Sequence, residues 1–225
     1  MRKLGLITAL GLAALLPAAA PAHHKPGHTG GGGNQGNLSL GADPNPVVFG
    51  RTAALAGRLT GPNNSGQTIT LQRDRFPYEG TFVTGATATT NSAGYFSFTG
   101  RPPVNTRYRV RRGGVLGPTV TVGVRIRVSR RVSDATPRRG QRIRFRGRAC
   151  PQHDGALVGI QRFSGTLRRY RTIRRTRLRN IVGSRCSRYS RRFRVFRDGT
   201  YRVKVRTPHG DHLSGFSRRR RIDVH

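Results

Sequence analysis

The side chains with most to offer chemically are arginines at alternate positions. Arg142, Arg144 and Arg146 alternate with Ile143 and Phe145, and Arg192 and Arg194 flank Phe193. Arg202, Lys204 and Arg206 alternate in the same way with Tyr201, Val203 and Val205. Two-residue spacing puts each set on one face of an extended strand, about 6.7 Å apart. Rows of forked donors at that interval suit the phosphate, sulfate or carboxylate groups of a polyanion. Arg168, Arg169, Arg171, Arg174 and Arg175 make a second dense cluster around Tyr170, a ring type that stacks on bases and sugars.

Residues suited to metal or covalent chemistry are sparse. His209-Gly210-Asp211-His212 is the best metal-like grouping, placed in a polar loop, and His153-Asp154 lies in another turn. Such pairs are usually solvated, so no metal is assigned, with His209, Asp211 and His212 as the weak candidates. His23, His24 and His28 would bind copper or nickel weakly at an exposed N-terminus. The eight acids are scattered. There is no G-x-S-x-G turn, phosphate loop or H-E-x-x-H. The expectation is a non-enzyme without a cofactor.

The start of the chain reads as an export signal spanning residues 1–22. Arg2 and Lys3 precede an apolar stretch from Leu4 to Ala20, and Ala20-Pro21-Ala22 has the form of a cleavage site. The expected product is a secreted protein, extracellular or held at the cell envelope, with no membrane span in the mature chain. Residues 23–37, rich in Gly and His, form an expected flexible leader. In that compartment the two cysteines, Cys150 and Cys186, are expected to form a disulfide.

Charge is strongly uneven. The chain of 225 residues carries a formal charge of +35. Residues 38–125 hold ten bases and three acids, whereas residues 126–225 hold thirty bases and five acids. Only Lys3, Lys25 and Lys204 are lysines. A GC-rich genome accounts for arginine over lysine, but it does not account for the scarcity of acids in the second segment. Anionic cell-wall polymer, acidic polysaccharide and extracellular DNA are the partners such a field suits.

The elements that must carry these residues are strands. Thirty glycines, thirteen prolines and no tryptophan suit short strands and many turns. In the first segment strands are expected near 46–49, 52–59, 68–73, 81–89, 95–98, 106–111 and 120–124, with breaks such as Gly61-Pro62-Asn63-Asn64 and Gly113-Gly114. The second segment repeats the layout about 90 residues on. Gly57-Arg58 corresponds to Gly147-Arg148, the run Ile69 to Arg73 to Val158–Arg162, and Tyr108-Arg109-Val110 to Tyr201-Arg202-Val203. Two tandem modules, 38–125 and 126–225, are expected, joined by an unbroken run from Val122 to Val128. One-sided strands of this kind cover their apolar faces by packing two sheets together, so an all-β sandwich is expected for each.

Asp198-Gly199-Thr200-Tyr201-Arg202-Val203 resembles the turn and corner tyrosine that open the sixth strand of immunoglobulin-like domains. Val203 stands where antibody domains place cysteine, so the resemblance is to the broad bacterial class. Pro102 to Val110 is a looser version. The tandem layout is similar to exported actinobacterial proteins built from immunoglobulin-like or carboxypeptidase-regulatory-like modules. The resemblance implies that the strands holding Arg142–Arg146 and Arg192–Arg194 are neighbours, and that Cys150 and Cys186 bridge them. The resemblance specifies a fold and names no ligand. The arginine-rich surface makes a binding or structural module of the envelope or extracellular space the expectation. A passive spacer or adhesin-like repeat is the alternative, and a metal-binding protein or enzyme using His209, Asp211 and His212 is the third reading.

Overall fold

Alternation decides the architecture, because each strand must hide one face. The computed structural model describes residues 37–225 except Pro208; the signal and leader readings and their histidines lie outside these residues. The described residues form one compact unit. Its first half contains β1 (Gly41–Asp43), β2 (Val47–Val48), β3 (Ala53–Arg58), β4 (Thr68–Arg75), β5 (Val83–Thr89), β6 (Tyr95–Gly100), β7 (Thr106–Arg112) and β8 (Val115–Val122). One sheet has the order β1-β3-β6 and another β5-β4-β7-β8. Leu55, Phe96 and Phe98 from the first meet Ile69, Tyr108 and Val110 from the second in one core.

The second half follows from β9 (Val124–Arg125). It comprises β10 (Arg127–Val128), β11 (Arg131–Val132), β12 (Arg142–Cys150), β13 (Leu157–Ser164), β14 (Arg169–Arg177), β15 (Ser187–Arg194), β16 (Gly199–Val205), β17 (Gly215–Phe216) and β18 (Arg220–Ile222). β12 sits at the centre of a sheet with β10, β11 and β15, while the facing sheet runs β14-β13-β16 and continues into β17 and β18. Among the described residues β14 pairs with β13 alone and forms the edge. Ile143, Phe145 and Phe193 face Val158, Ile160, Tyr201 and Val203 in a separate core. Phe145 stacks on Phe193 at 5.3 Å between ring centroids and lies 5.8 Å from Tyr201. Every described element is a strand, turn or loop, and none is a helix that could cross a membrane.

The run from Val122 to Val128 is segmented rather than continuous. β8, β9 and β10 have different partners, and β9 pairs in parallel with β2. Asn105 explains the break. Its Oδ1 accepts from Val124 N at 2.6 Å, its Nδ2 donates to Gly210 O at 2.7 Å, and its backbone N donates to Asp211 O at 2.8 Å. A buried amide with each polar group paired fixes this junction.

The two halves also share local geometry at the residues the sequence aligns. Ser39 N and Ser129 N each donate to an arginine carbonyl, Arg58 O and Arg148 O, at 2.9 Å. Arg58 N and Arg148 N donate back to the serine hydroxyls, also at 2.9 Å. Arg109 Nε donates to Gln72 Oε1 and Arg202 Nε to Gln161 Oε1, both at 2.8 Å. Each glutamine then donates to a threonine on the adjacent strand, Thr84 or Thr172. A bulge interrupts the ladder beside each glutamine.

Three core phenols make the fold sensitive to alkali. Burial pushes the Tyr189 hydroxyl far above its ordinary value, with Arg130 working against it. Burial likewise raises Tyr201, opposed by Arg162, and Tyr108, opposed by Arg73 and Arg75. An unfolded chain ionises its phenols near pH ~10, so it releases protons that the folded chain keeps. The stability these groups confer is therefore complete below that pH and is lost as the pH rises toward the folded values. The urea midpoint should fall between about pH 10 and 12, while absorbance at ~295 nm shows these phenols still protonated in the folded chain. A midpoint flat across that range would contradict their burial.

Candidate arginine-rich binding surface

β12 presents its arginines as alternation requires. Ile143 and Phe145 are buried, while Arg142, Arg144 and Arg146 face outward. Across the antiparallel register Arg142 lies opposite Arg194, Arg144 opposite Arg192, and Arg148 opposite Arg188. On the other side of β12, Arg131 lies opposite Arg146. The result is an open trough of about 1010 Å³ whose wall includes Arg130, Arg131, Arg142, Arg144, Arg146, Arg192 and Arg220. A second recess of about 790 Å³ shares Arg130, Arg131, Arg144 and Arg146 and extends to Arg148 and Arg188.

The trough lacks internal counter-ions. Asp134 is the one acid on its wall, and its two oxygens accept from Thr136 N at 2.8 Å and Gln141 Nε2 at 3.0 Å. Among the described residues the one arginine–carboxylate ion pair is Arg221–Asp223, at 2.7 Å. Burial draws Arg130 below its ordinary value, opposed by Tyr189 and reinforced by the charge of Arg220. An anion in the trough would relieve this crowding of like charge.

The other sequence candidates divide into separate places. Arg194 sits beside Arg142 in register, but its guanidinium donates to Gly140 O at 3.1 Å. Arg202 and Lys204 lie on the facing sheet over Phe216, at 4.4 and 5.5 Å from the ring centroid. Arg206 lines a recess with His153, Arg177 and His209. Arg168 occupies the turn before β14, with φ of 46°, while Arg169, Arg171, Arg174 and Arg175 are exposed along that edge strand. Tyr170 is already covered: Arg202 stacks on it at 3.8 Å and Phe163 packs edge-on at 5.2 Å. Its expected availability to a base or sugar gives way to this internal stack. Burial lowers Arg202 as well, with Tyr170 opposing and Arg219 adding to the shift.

Arg130, Arg131 and Arg220 were not among the sequence candidates. They belong to two- or three-residue strands and their flanks, which are too short for alternation to show.

The chain matches no protein-family model and no curated protein. Chemistry must be read from geometry.

Cys150 ends β12 and Cys186 immediately precedes β15, its neighbour in the sheet. They form a disulfide, with Cα atoms 4.4 Å apart. It closes one end of the sheet that carries the trough. Intact mass measured without reductant should be about two daltons below the reduced mass, and full alkylation of unreduced protein would refute the bridge.

The polar loop after β16 behaves differently from its sequence reading. His209 is exposed, and it is His153 that joins Asp211 and His212. His153 Nε2 and His212 Nδ1 lie 3.1 and 2.9 Å from the same oxygen, Asp211 Oδ2. Burial raises the Asp211 carboxyl, but the hydrogen bond and charge of His212, with those of His153, outweigh it and hold the group below the ordinary carboxylate range.

Proposed function

We propose that the protein is an exported, non-enzymatic binding module that holds anionic polymers in the arginine trough of its second half. One observation carries this reading: seven arginines line a single open recess whose one carboxylate is committed to Thr136 and Gln141. Arg130 donates to Arg218 O and Arg219 O at 3.4 Å; the other six guanidinium forks would find their hydrogen bonds in phosphate, sulfate or carboxylate oxygens. A solvent-open recess of about 1010 Å³ has room for a segment of a polymer. Anionic wall polymer, acidic polysaccharide and extracellular DNA share that chemistry.

Two immunoglobulin-like sandwiches descended from one duplicated unit form the proposed scaffold. The Tyr201 hydroxyl donates to Arg197 O four residues upstream at 2.8 Å, the bond expected of a corner tyrosine. The serine–arginine and glutamine–arginine pairs recurring in both halves support the duplication. Export rests on Arg2-Lys3, the apolar stretch from Leu4 to Ala20 and Ala20-Pro21-Ala22, and the Cys150–Cys186 bridge suits an oxidising compartment.

The test is retention on immobilised heparin and double-stranded DNA at two ionic strengths. A polymer engaging all seven trough arginines should lose several thousandfold in affinity between about 50 and 200 mM salt. Absence of retention at low salt would leave a passive spacer as the better reading.

A further inference from the structure

His153, Asp211 and His212 take no part in lining the trough and form a cluster of their own. The register of β13 and β16 brings it together. Val158 pairs with Val205, and Arg206 N donates to Leu157 O at 3.0 Å, so the loop before β13 lies against the loop after β16. Each imidazole is locked from behind. His212 Nε2 lies 2.7 Å from Pro103 O, and His153 Nδ1 lies 3.2 Å from Pro151 O. A carbonyl oxygen only accepts, so these nitrogens carry the protons in the neutral rings. In those neutral rings the other nitrogens, His212 Nδ1 and His153 Nε2, are unprotonated and face Asp211 Oδ2. In the charged rings they donate to it, and a bound cation would take the place of those protons.

Deprotonated on that side, the two imidazoles and the carboxylate offer three electron-pair donors close together. The second carboxylate oxygen, Asp211 Oδ1, is buried and has no hydrogen-bond partner. Histidines that give their outer N–H to a backbone carbonyl and turn the other nitrogen inward have the outer-shell arrangement of metal ligands. Separation is also close to what an ion needs. Donors bound at about 2.0–2.2 Å in a tetrahedron sit about 3.3–3.5 Å apart, only a few tenths of an ångström more than the 2.9 and 3.1 Å seen. All three ligand atoms lie within 4.8 Å of one another.

We infer that His153, Asp211 and His212 form a site for a divalent transition ion, zinc by its donor set. Two imidazoles and one carboxylate favour zinc over calcium or magnesium, which prefer all-oxygen shells. Three protein ligands leave one position open. The ion would tie the loop after the disulfide to the loop after β16. Through Pro103 O and Asn105 it would also brace the segment from the first half that touches them.

The test uses the full chain with His23, His24 and His28 changed to Ala, so that the leader adds no imidazole. Metal-free protein is titrated with zinc and, separately, with cobalt. One zinc per chain should bind, cobalt should give the visible absorption of a four-coordinate site, and saturating zinc should raise Tm by about 5–10 °C at a hundredfold excess over Kd. Asp211→Asn and His153→Gln should each abolish stoichiometric binding, whereas His209→Ala should leave it unchanged. Circular dichroism of each variant separates lost binding from lost fold. Histidines that merely share protons with Asp211 would give no saturation and no cobalt spectrum, and that result on the otherwise unmodified chain overturns the assignment. Full zinc binding in both folded variants would overturn it equally.

Discussion

Replacing Arg142, Arg144 and Arg146 together with Ser should flatten the salt dependence of polyanion binding while leaving the fold intact. None of these three guanidinium groups makes a hydrogen bond among the described residues; Arg144 meets Ser133 through its backbone alone, its N donating to Ser133 Oγ and its O accepting from Ser133 N. Their removal therefore breaks no side-chain hydrogen bond and relieves like-charge crowding with Arg131, Arg192 and Arg220. Each phosphate contact adds roughly 0.9 to the slope of log affinity against log salt on duplex DNA. Losing three of seven should shrink the decline between about 50 and 200 mM salt from several thousandfold to roughly a hundredfold. Affinity at low salt should fall as well. The measurement is a salt titration of DNA binding by anisotropy, with thermal unfolding alongside. An unaltered slope in a folded variant would move the contact to Arg169–Arg177 or elsewhere. A matching triple change at Arg169, Arg171 and Arg175 distinguishes those surfaces.

The second large effect concerns stability. Gly147→Ala should destabilise the chain by at least about 3 kcal/mol. A methyl group there would fall on Ser129 O, a backbone atom held by the ladder, and 2.7 Å from the Tyr189 hydroxyl. That hydroxyl donates to Ser129 O at 2.8 Å, so the substitution strikes both ends of one bond. Backbone cannot rotate aside as a side chain can, and the strain must spread into β12. Gly57→Ala meets the equivalent obstacle in Ser39 O and Phe96. Gly165→Ala is the control, because nothing lies within 4 Å of the added carbon. For a chain of this size the penalty corresponds to a Tm lower by about 6–12 °C. Equal midpoints for Gly147→Ala and Gly165→Ala would show that the approach of these backbones is not as close as described.

What could be read from residues alone follows from how far each signal travels along the chain. The expected strands at 68–73, 95–98 and 106–111 correspond to β4, β6 and β7 because alternation and turn glycines act locally. The pairing of Arg142–Arg146 with Arg192–Arg194 rested on the immunoglobulin-like resemblance, and the observed register contains it. β1 was missed, for Gly41-Ala42-Asp43 has almost no apolar content and is held as a strand only by β3. The expected run from Val122 to Val128 divides because Asn105 and β2 compete for its backbone groups, which a one-dimensional pattern does not record. His153 lies 58 residues from Asp211, and their meeting depends on the β13–β16 register. No local spacing encodes that register. His209, two residues from Asp211, was the natural choice on sequence grounds, yet it turns to solvent.

The uncovered rim of the second half has a consequence for crowded solutions. An unpaired strand is ordinarily where another copy of a protein adds itself and begins to aggregate. Here a second copy approaching β14 would bring its own Arg169, Arg171, Arg174 and Arg175 against the same four. Mutual repulsion keeps such molecules apart at low ionic strength. On the proposed function, a polyanion long enough to reach β14 as well as the trough would offset that repulsion and so weaken the barrier to self-assembly.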